Sequence, residues 1–228
     1  MDKTEKLWDL YMSVKTDPYK YIGEPDINKL DAFYFGMRYF YEWSEGMIFY
    51  LTDGFREFLL NEKYAEPRGG GFGASSIVSF NCKDSQEAFY RFYELLEEFI
   101  SIQGKAYESF RNTKLPHCIG KGAEKAIWEL VRTERTKIAM GAISLKLLES
   151  FISGVLHGAL TLENKTFEVL PGFDEYLRER FLAGEDMNRY QIIQRNSAND
   201  NEAFTNYYSW MQDFLKEKGL NYEPVVEK

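Results

Sequence analysis

Residues 31–43 read DAFYFGMRYFYEW. Seven of these thirteen residues are aromatic, and on a helix they point in every direction. A surface helix confines its apolar residues to one stripe. A helix of this kind is therefore either buried on both faces or holds one face ready for a partner.

The chain offers a second copy of this stretch to compare it with. KLDAFYFG (29–36) aligns with LLESFISG (147–154) through Leu30/Leu148, Phe33/Phe151 and Gly36/Gly154. At the same offset LTDGFREFLLNE (51–62) matches VLPGFDEYLRER (169–180), pairing Gly54, Phe55, Glu57 and Leu59 with Gly172, Phe173, Glu175 and Leu177. After a three-residue shortening, residues 76–99 match 191–214, through Ile77/Ile192, Asn81/Asn196, Glu87-Ala88-Phe89/Glu202-Ala203-Phe204, Tyr93/Tyr208 and Phe99/Phe214. Collinear matches that include non-periodic residues point to an internal repeat.

The expected fold is mainly α. Two tandem repeat units of about four helices each, packed pseudo-symmetrically, carry at most a minor pair of short strands. Residues 1–103 form copy one, 104–122 a connecting segment, 123–220 copy two and 221–228 a tail, with both copies in one compact unit. Each copy starts with a Trp-containing helix, TEKLWDLYMSVK or AEKAIWELVRTERTK. A link with two prolines, DPYKYIGEP, follows in copy one. The second helix starts at the N-caps Asp26 or Ser144. GMIFYL and KTFEVL read as extended, and a short Phe-rich helix follows each. The last helix starts at Asp84 or Asn199 with Glu three residues on, as in a capping box. Residues 76–80 and 191–195 are too short for periodicity to choose between strand and helix.

On this reading Leu30, Phe33, Tyr34, Met37 and Tyr41 form the repeat's own core face. The opposite face meets its counterpart from the other copy. Phe35, Tyr39 and Phe40, beside Gly36, fill a groove left by Ser153, Gly154 and Gly158, with His157 at the position matching Tyr39.

Composition bounds the function. The 228 residues are 44% hydrophobic and 17% aromatic, so disorder is excluded. The net charge of −8, with no basic block, argues against nucleic acid and favours either a basic protein partner or simply solubility. The N-terminus has no secretory pattern and no apolar run nears bilayer length, so the expectation is a cytoplasmic protein without membrane contact. Two cysteines make no disulfide framework.

Chemistry-bearing motifs are sparse. The only histidines are His117 and His157, and neither has an evident nucleophile partner; the neighbours His117 and Cys118 do not make a dyad on their own. Cys82 aligns with Ser197. No zinc or calcium spacing is present, and no cofactor or metal ligand set is expected. RGGGFG (68–73) lacks the Lys-Ser/Thr of a P-loop and belongs to copy one alone. Arg68 and Phe72 on this loop, with Tyr19 and Tyr21 of the link, are the candidate binding residues; no catalytic residue is assigned.

The pattern P-x-x-YIG, L-x-x-F-x-x-G, F-x-x-F/Y and E-A-F-x-x-F/Y is carried by Pro18, Tyr21, Ile22, Gly23, Leu30, Phe33, Gly36, Phe55, Phe58, Glu87, Ala88, Phe89 and Phe92. It resembles a loosely defined group of small bacterial proteins of unknown function that includes immunity or antitoxin proteins of bacterial competition systems. The resemblance implies a non-catalytic protein that neutralises a toxin by binding it. An enzyme, or a small-ligand protein with its site between the repeats, is the alternative.

Overall fold

The computed structural model describes residues 3–45, 54–65, 73–103, 144–166 and 168–219. All regular structure among these residues is helical. The helices are α1 (Lys3–Thr16), α2 (Pro18–Ile22), α3 (Ile27–Glu45), α4 (Phe55–Phe58), α5 (Ala74–Phe80), α6 (Ser85–Gln103), α7 (Leu145–Glu163), α8 (Phe173–Phe181), α9 (Arg189–Arg195) and α10 (Asp200–Glu217). A π-helical turn, Leu59–Lys63, continues α4.

Residues 74–80 and 189–195 are thus helices, which settles the strand-or-helix ambiguity there. The expected strand at 165–170 is absent among its described residues, and GMIFYL lies outside them. The proline link is itself a helical turn. Asp17 caps it by accepting from the Lys20 backbone N–H, and Pro18 occupies the first turn, where a missing N–H costs nothing. The Trp-containing segment 123–137 lies outside the described residues.

The chain divides into two compact units rather than one. Met1–Gly120 and Ser150–Lys165 form the first, Lys121–Glu149 and Thr166–Lys228 the second. Residues 150–163 of α7, placed by sequence in copy two, belong to the first unit.

In the first unit α3 is buried on both sides. Leu30, Phe33, Met37 and Tyr41 lie in the core, and Ala32, Gly36 and Phe40 on the other side are buried as well. Of the aromatic residues in 31–43, Phe33, Phe40 and Tyr41 are buried and Tyr34, Phe35 and Tyr39 half-buried. α7 supplies one covering surface, and its contact is reciprocal. A Cβ built on Gly36 would stand 1.9 Å from the Phe151 carbonyl oxygen; one built on Gly154 would stand 2.0 Å from the Phe33 carbonyl oxygen. Only the hydrogen of a glycine Cα fits there, directed at a backbone carbonyl. The nearest neighbours of Gly154 and Gly158 are the Phe33 backbone and Met37; of the residues expected beside these glycines, Phe40 is buried and Phe35 half-buried.

α7 has the length and composition of a membrane-crossing helix, with a mean hydropathy of 1.2, although no run in the sequence had suggested one. Some 56% of that window is buried inside the protein, and this burial accounts for its apolar character.

Paired segments share local geometry within their separate units. Gly54 and Gly172 both have φ +80, and each precedes a phenylalanine that starts a short helix. Phe55 meets Phe99 at 5.5 Å and Phe92 edge-on at 5.3 Å; Phe173 meets Phe214 at 5.4 Å and Tyr207 edge-on at 5.8 Å. Such ring pairs add roughly 1 kcal/mol each beyond area burial. Asp84 and Asn199 cap α6 and α10 by accepting from the Glu87 and Glu202 N–H groups. The glutamates reach one residue further back than a capping box requires, to the N–H of Lys83 and Ala198. A true capping box joins Asn188 and Gln191 at α9.

The π turn has a specific role. From Phe58 to Lys63 is one residue more than from Tyr176 to Arg180. The Tyr64 N–H bonds to the Leu59 carbonyl, five residues back, and so absorbs the extra residue. Lys63 therefore lies over the Phe58 ring at 5.6 Å and pairs with Glu98 at 2.5 Å. Arg180 lies over Tyr176 at 5.7 Å and pairs with Asp213 at 2.7 Å.

Gly36→Ala and Gly154→Ala should each destabilise the protein by about 3 kcal/mol or more, since backbone must move. Gly158→Ala, with its nearest contacts at 3.6 Å, should shift stability by less than about 1 kcal/mol. Urea unfolding of the three variants checks this contrast.

Candidate functional site

Among the described residues, polar side chains gather in three buried or part-buried clusters. The first lies in unit one. Asp31 stands on α3 among aromatic residues, and the Ser75 hydroxyl of α5 donates to its Oδ2 at 2.5 Å. Tyr11, Tyr34 and Tyr93 complete the surroundings. The Tyr11 ring sits 5.7 Å from each of the other two, and the Tyr93 hydroxyl donates to the Tyr11 carbonyl at 2.8 Å. Desolvation pushes the Asp31 carboxyl up from 3.8 to about 6, against the opposing hydrogen bond from Ser75. Burial also raises the phenols of Tyr11 and Tyr93 well above their ordinary range.

The second cluster, also in unit one, centres on His157. Its Nδ1 lies 2.9 Å from the Ser153 carbonyl and 3.3 Å from the Ser153 hydroxyl. That hydroxyl donates to the Tyr21 carbonyl at 2.6 Å, and the Tyr21 ring meets the imidazole edge-on at 4.9 Å. Ser153 is thus engaged by backbone, and the histidine is a packed residue that ties α7 to the end of α2.

The third cluster is in unit two. Arg189, buried at the start of α9, pairs with Asp174, approaches Glu168 at 3.7 Å and donates to the Val169 carbonyl. The Phe173 ring lies 5.6 Å from its guanidinium. Burial pushes the neighbouring Tyr207 phenol up to about 12, with the Arg189 charge pulling the other way. This clamp fastens residues 168–174, including Leu170 at φ +64, onto the helices of unit two.

A fourth group lies at the surface of unit two. Arg180 stacks on Tyr176, Phe181 and Trp210 at 5.7–5.9 Å, and the Phe181 and Trp210 rings touch with centroids 4.4 Å apart. Arg180 remains 38% exposed while paired with Asp213.

The residues singled out from sequence are scattered over this framework. Tyr19 is 69% exposed on α2. Tyr21 belongs to the His157 cluster. Arg68 and Phe72 lie outside the described residues, as do His117 and Cys118. Among the packing candidates, Gly36 and Gly154 meet backbone, Tyr39 meets the Phe151 ring at 6.1 Å, and Phe40 is buried. Phe35 is half-buried, its ring beside Tyr34. Desolvation and nearby Glu87 push the Cys82 thiol up, which suppresses its reactive thiolate. Among the described residues no group of three metal-ligating side chains is gathered.

Sequence reasoning passed over Asp31, Ser75, Asp174 and Arg189. A signal for the first was present, because the position matching Asp31 also holds a carboxylate, Glu149. The matching partner of Ser75 is Tyr190, whose phenol Glu149 helps to raise. The Arg189–Asp174 clamp has no such trace, since Ala74 and Arg56 stand at the corresponding places.

No protein-family model, curated protein or solved structure matches the chain.

The Asp31 carboxyl titrates higher folded than unfolded, so its contribution to stability is full below pH about 4 and is lost as pH rises through about 6. The loss is of order 1–3 kcal/mol. Urea midpoints should fall between pH 5 and 7.5, and Asp31→Asn should flatten this dependence and stabilise the protein at pH 7.5.

Proposed function

We propose that this chain acts by binding another protein, as an immunity or antitoxin protein that neutralises a basic toxin without catalysis. The observation that carries this reading is the ordered stack of Tyr176, Arg180, Phe181 and Trp210 at the surface of unit two. Tyr, Trp and Arg dominate interface hot spots because they bury large areas while keeping a polar handle. Here the stack fixes them before any partner arrives, which reduces the ordering entropy of binding. The net charge of −8 steers a basic partner toward the chain. We further propose that the paired segments descend from one ancestral unit.

A second reading, an enzyme or a small-ligand protein, rests on Asp31. A carboxyl raised to about 6 is poised for proton transfer near neutral pH. Asp31→Asn would abolish such an activity and would leave partner binding intact.

Calorimetric titration against the purified products of neighbouring genes tests the main reading. A basic one among them should bind, with Kd rising as salt is added. Arg180→Ala and Trp210→Ala should each weaken that complex at least tenfold. Failure of every neighbour to bind would overturn the proposal.

A further inference from the structure

Leu182, one residue beyond α8, has φ +48 and ψ +43, in the left-handed region. This is a helix C-terminal position at which glycine, or asparagine, is ordinarily found. The turn itself is ordinary, with the Ala183 N–H closing on the Arg178 carbonyl at 3.0 Å. The residue type is not. A leucine there strains the backbone, and its side chain is 93% exposed, so it recovers no burial. Folding alone therefore disfavours leucine at this position twice over.

The neighbours of Leu182 extend the apolar surface. Phe181 precedes it and packs on Trp210, and both rings are half-buried. Within residues 178–186, the segment that carries Phe181 and Leu182, the charges left without an ion pair are all acidic, while Arg195 of α9 meets the Met187 sulfur at 3.8 Å. Arg178 is engaged by Glu175 at 3.2 Å and by the Met187 carbonyl, and Arg180 by Asp213. Glu179, Glu185 and Asp186 are exposed and enter no ion pair among the described residues. An acidic rim of this kind repels nucleic acid, anionic lipid and a second copy of the same surface. It complements a cationic segment that also offers an apolar side chain.

We infer that Leu182, Phe181 and Trp210, rimmed by Glu179, Glu185 and Asp186, form the docking surface for a basic amphipathic segment of a protein partner. An apolar side chain of that segment seats against Leu182 and Trp210, and its Lys or Arg residues meet the three carboxylates. The inference rests on the protein-binding reading and names the face that performs it.

The test uses the full chain, isotopically labelled for NMR, and two synthetic helical peptides that share a leucine face. One peptide carries lysines on its other face and the other glutamates. The lysine peptide should shift the resonances of Phe181, Leu182 and the Trp210 indole, with Kd rising several-fold at about 0.3 M salt. The glutamate peptide should leave them unmoved. Leu182→Gly should raise the thermal midpoint and weaken the lysine peptide at least tenfold; Glu185→Lys with Asp186→Lys should weaken it without changing the midpoint appreciably. Equal binding of both peptides, shifts centred elsewhere, burial of this face in a homodimer by sedimentation, or Leu182→Gly that stabilises without weakening binding would each overturn the assignment. A gene-neighbour complex that ignores Leu182→Gly would remove this surface and leave the binding reading standing. Leu182-dependent peptide binding with no binding neighbour would remove the toxin-neutralising role and leave this docking surface standing.

Discussion

Two glycines set the distance on which the first unit is built. Gly36 and Gly154 each leave a backbone carbonyl of the facing helix nothing larger than hydrogen to meet. Their helices therefore approach backbone to backbone, and neighbouring side chains are sorted by that choice. Phe33 and Met37 lie at the contact, Tyr39 reaches the Phe151 ring, and Ser153 and His157 turn toward the Tyr21 turn. A methyl group at either glycine would push against peptide bonds, which do not rotate out of the way.

The interior polar groups act as fasteners at places where the helical framework alone would leave slack. Ser75 ties α5 to α3 through Asp31, the Tyr93 hydroxyl ties α6 to α1, and Arg189 holds the loop that precedes α8. Each satisfies a buried partner that would otherwise be costly to desolvate. Asp31 differs in that the donor it meets is a neutral hydroxyl. Desolvation brings its titration up to about 6, and this couples the packing of α3 to pH.

Much of the fold was legible because it rests on local, periodic or non-periodic marks. Asp26, Ser144, Asp84 and Asn199 are short polar side chains placed ahead of apolar periodicity, and all four cap helices. Of the core face Leu30, Phe33, Tyr34, Met37 and Tyr41 read from spacing, four are buried and Tyr34 is half-buried against the core. What spacing does not give is the detail of contact. Small residues at positions 36 and 154 suit a close helix approach, but how close the backbones come is a matter of geometry alone. The Arg189 clamp joins residues far apart in the chain, and no periodic signal reports such a pairing. The stack around Trp210 likewise depends on two helices lying side by side. Position 182 offered nothing to read, because an exposed leucine is commonplace until its backbone angle is known.

The π turn after α4 brings two like contacts into register at unequal spacing. Lys63 and Arg180 follow their aromatic partners at different counts, yet both cations reach the same kind of ring and the same kind of acid. A turn widened by one residue rotates the helix back into phase, much as a vernier recovers alignment between unequal scales. The two contacts thus agree in angle around the helix axis and differ in residue count, and a comparison that counted residues without allowing for phase would pair Lys63 with Phe181 and miss the likeness.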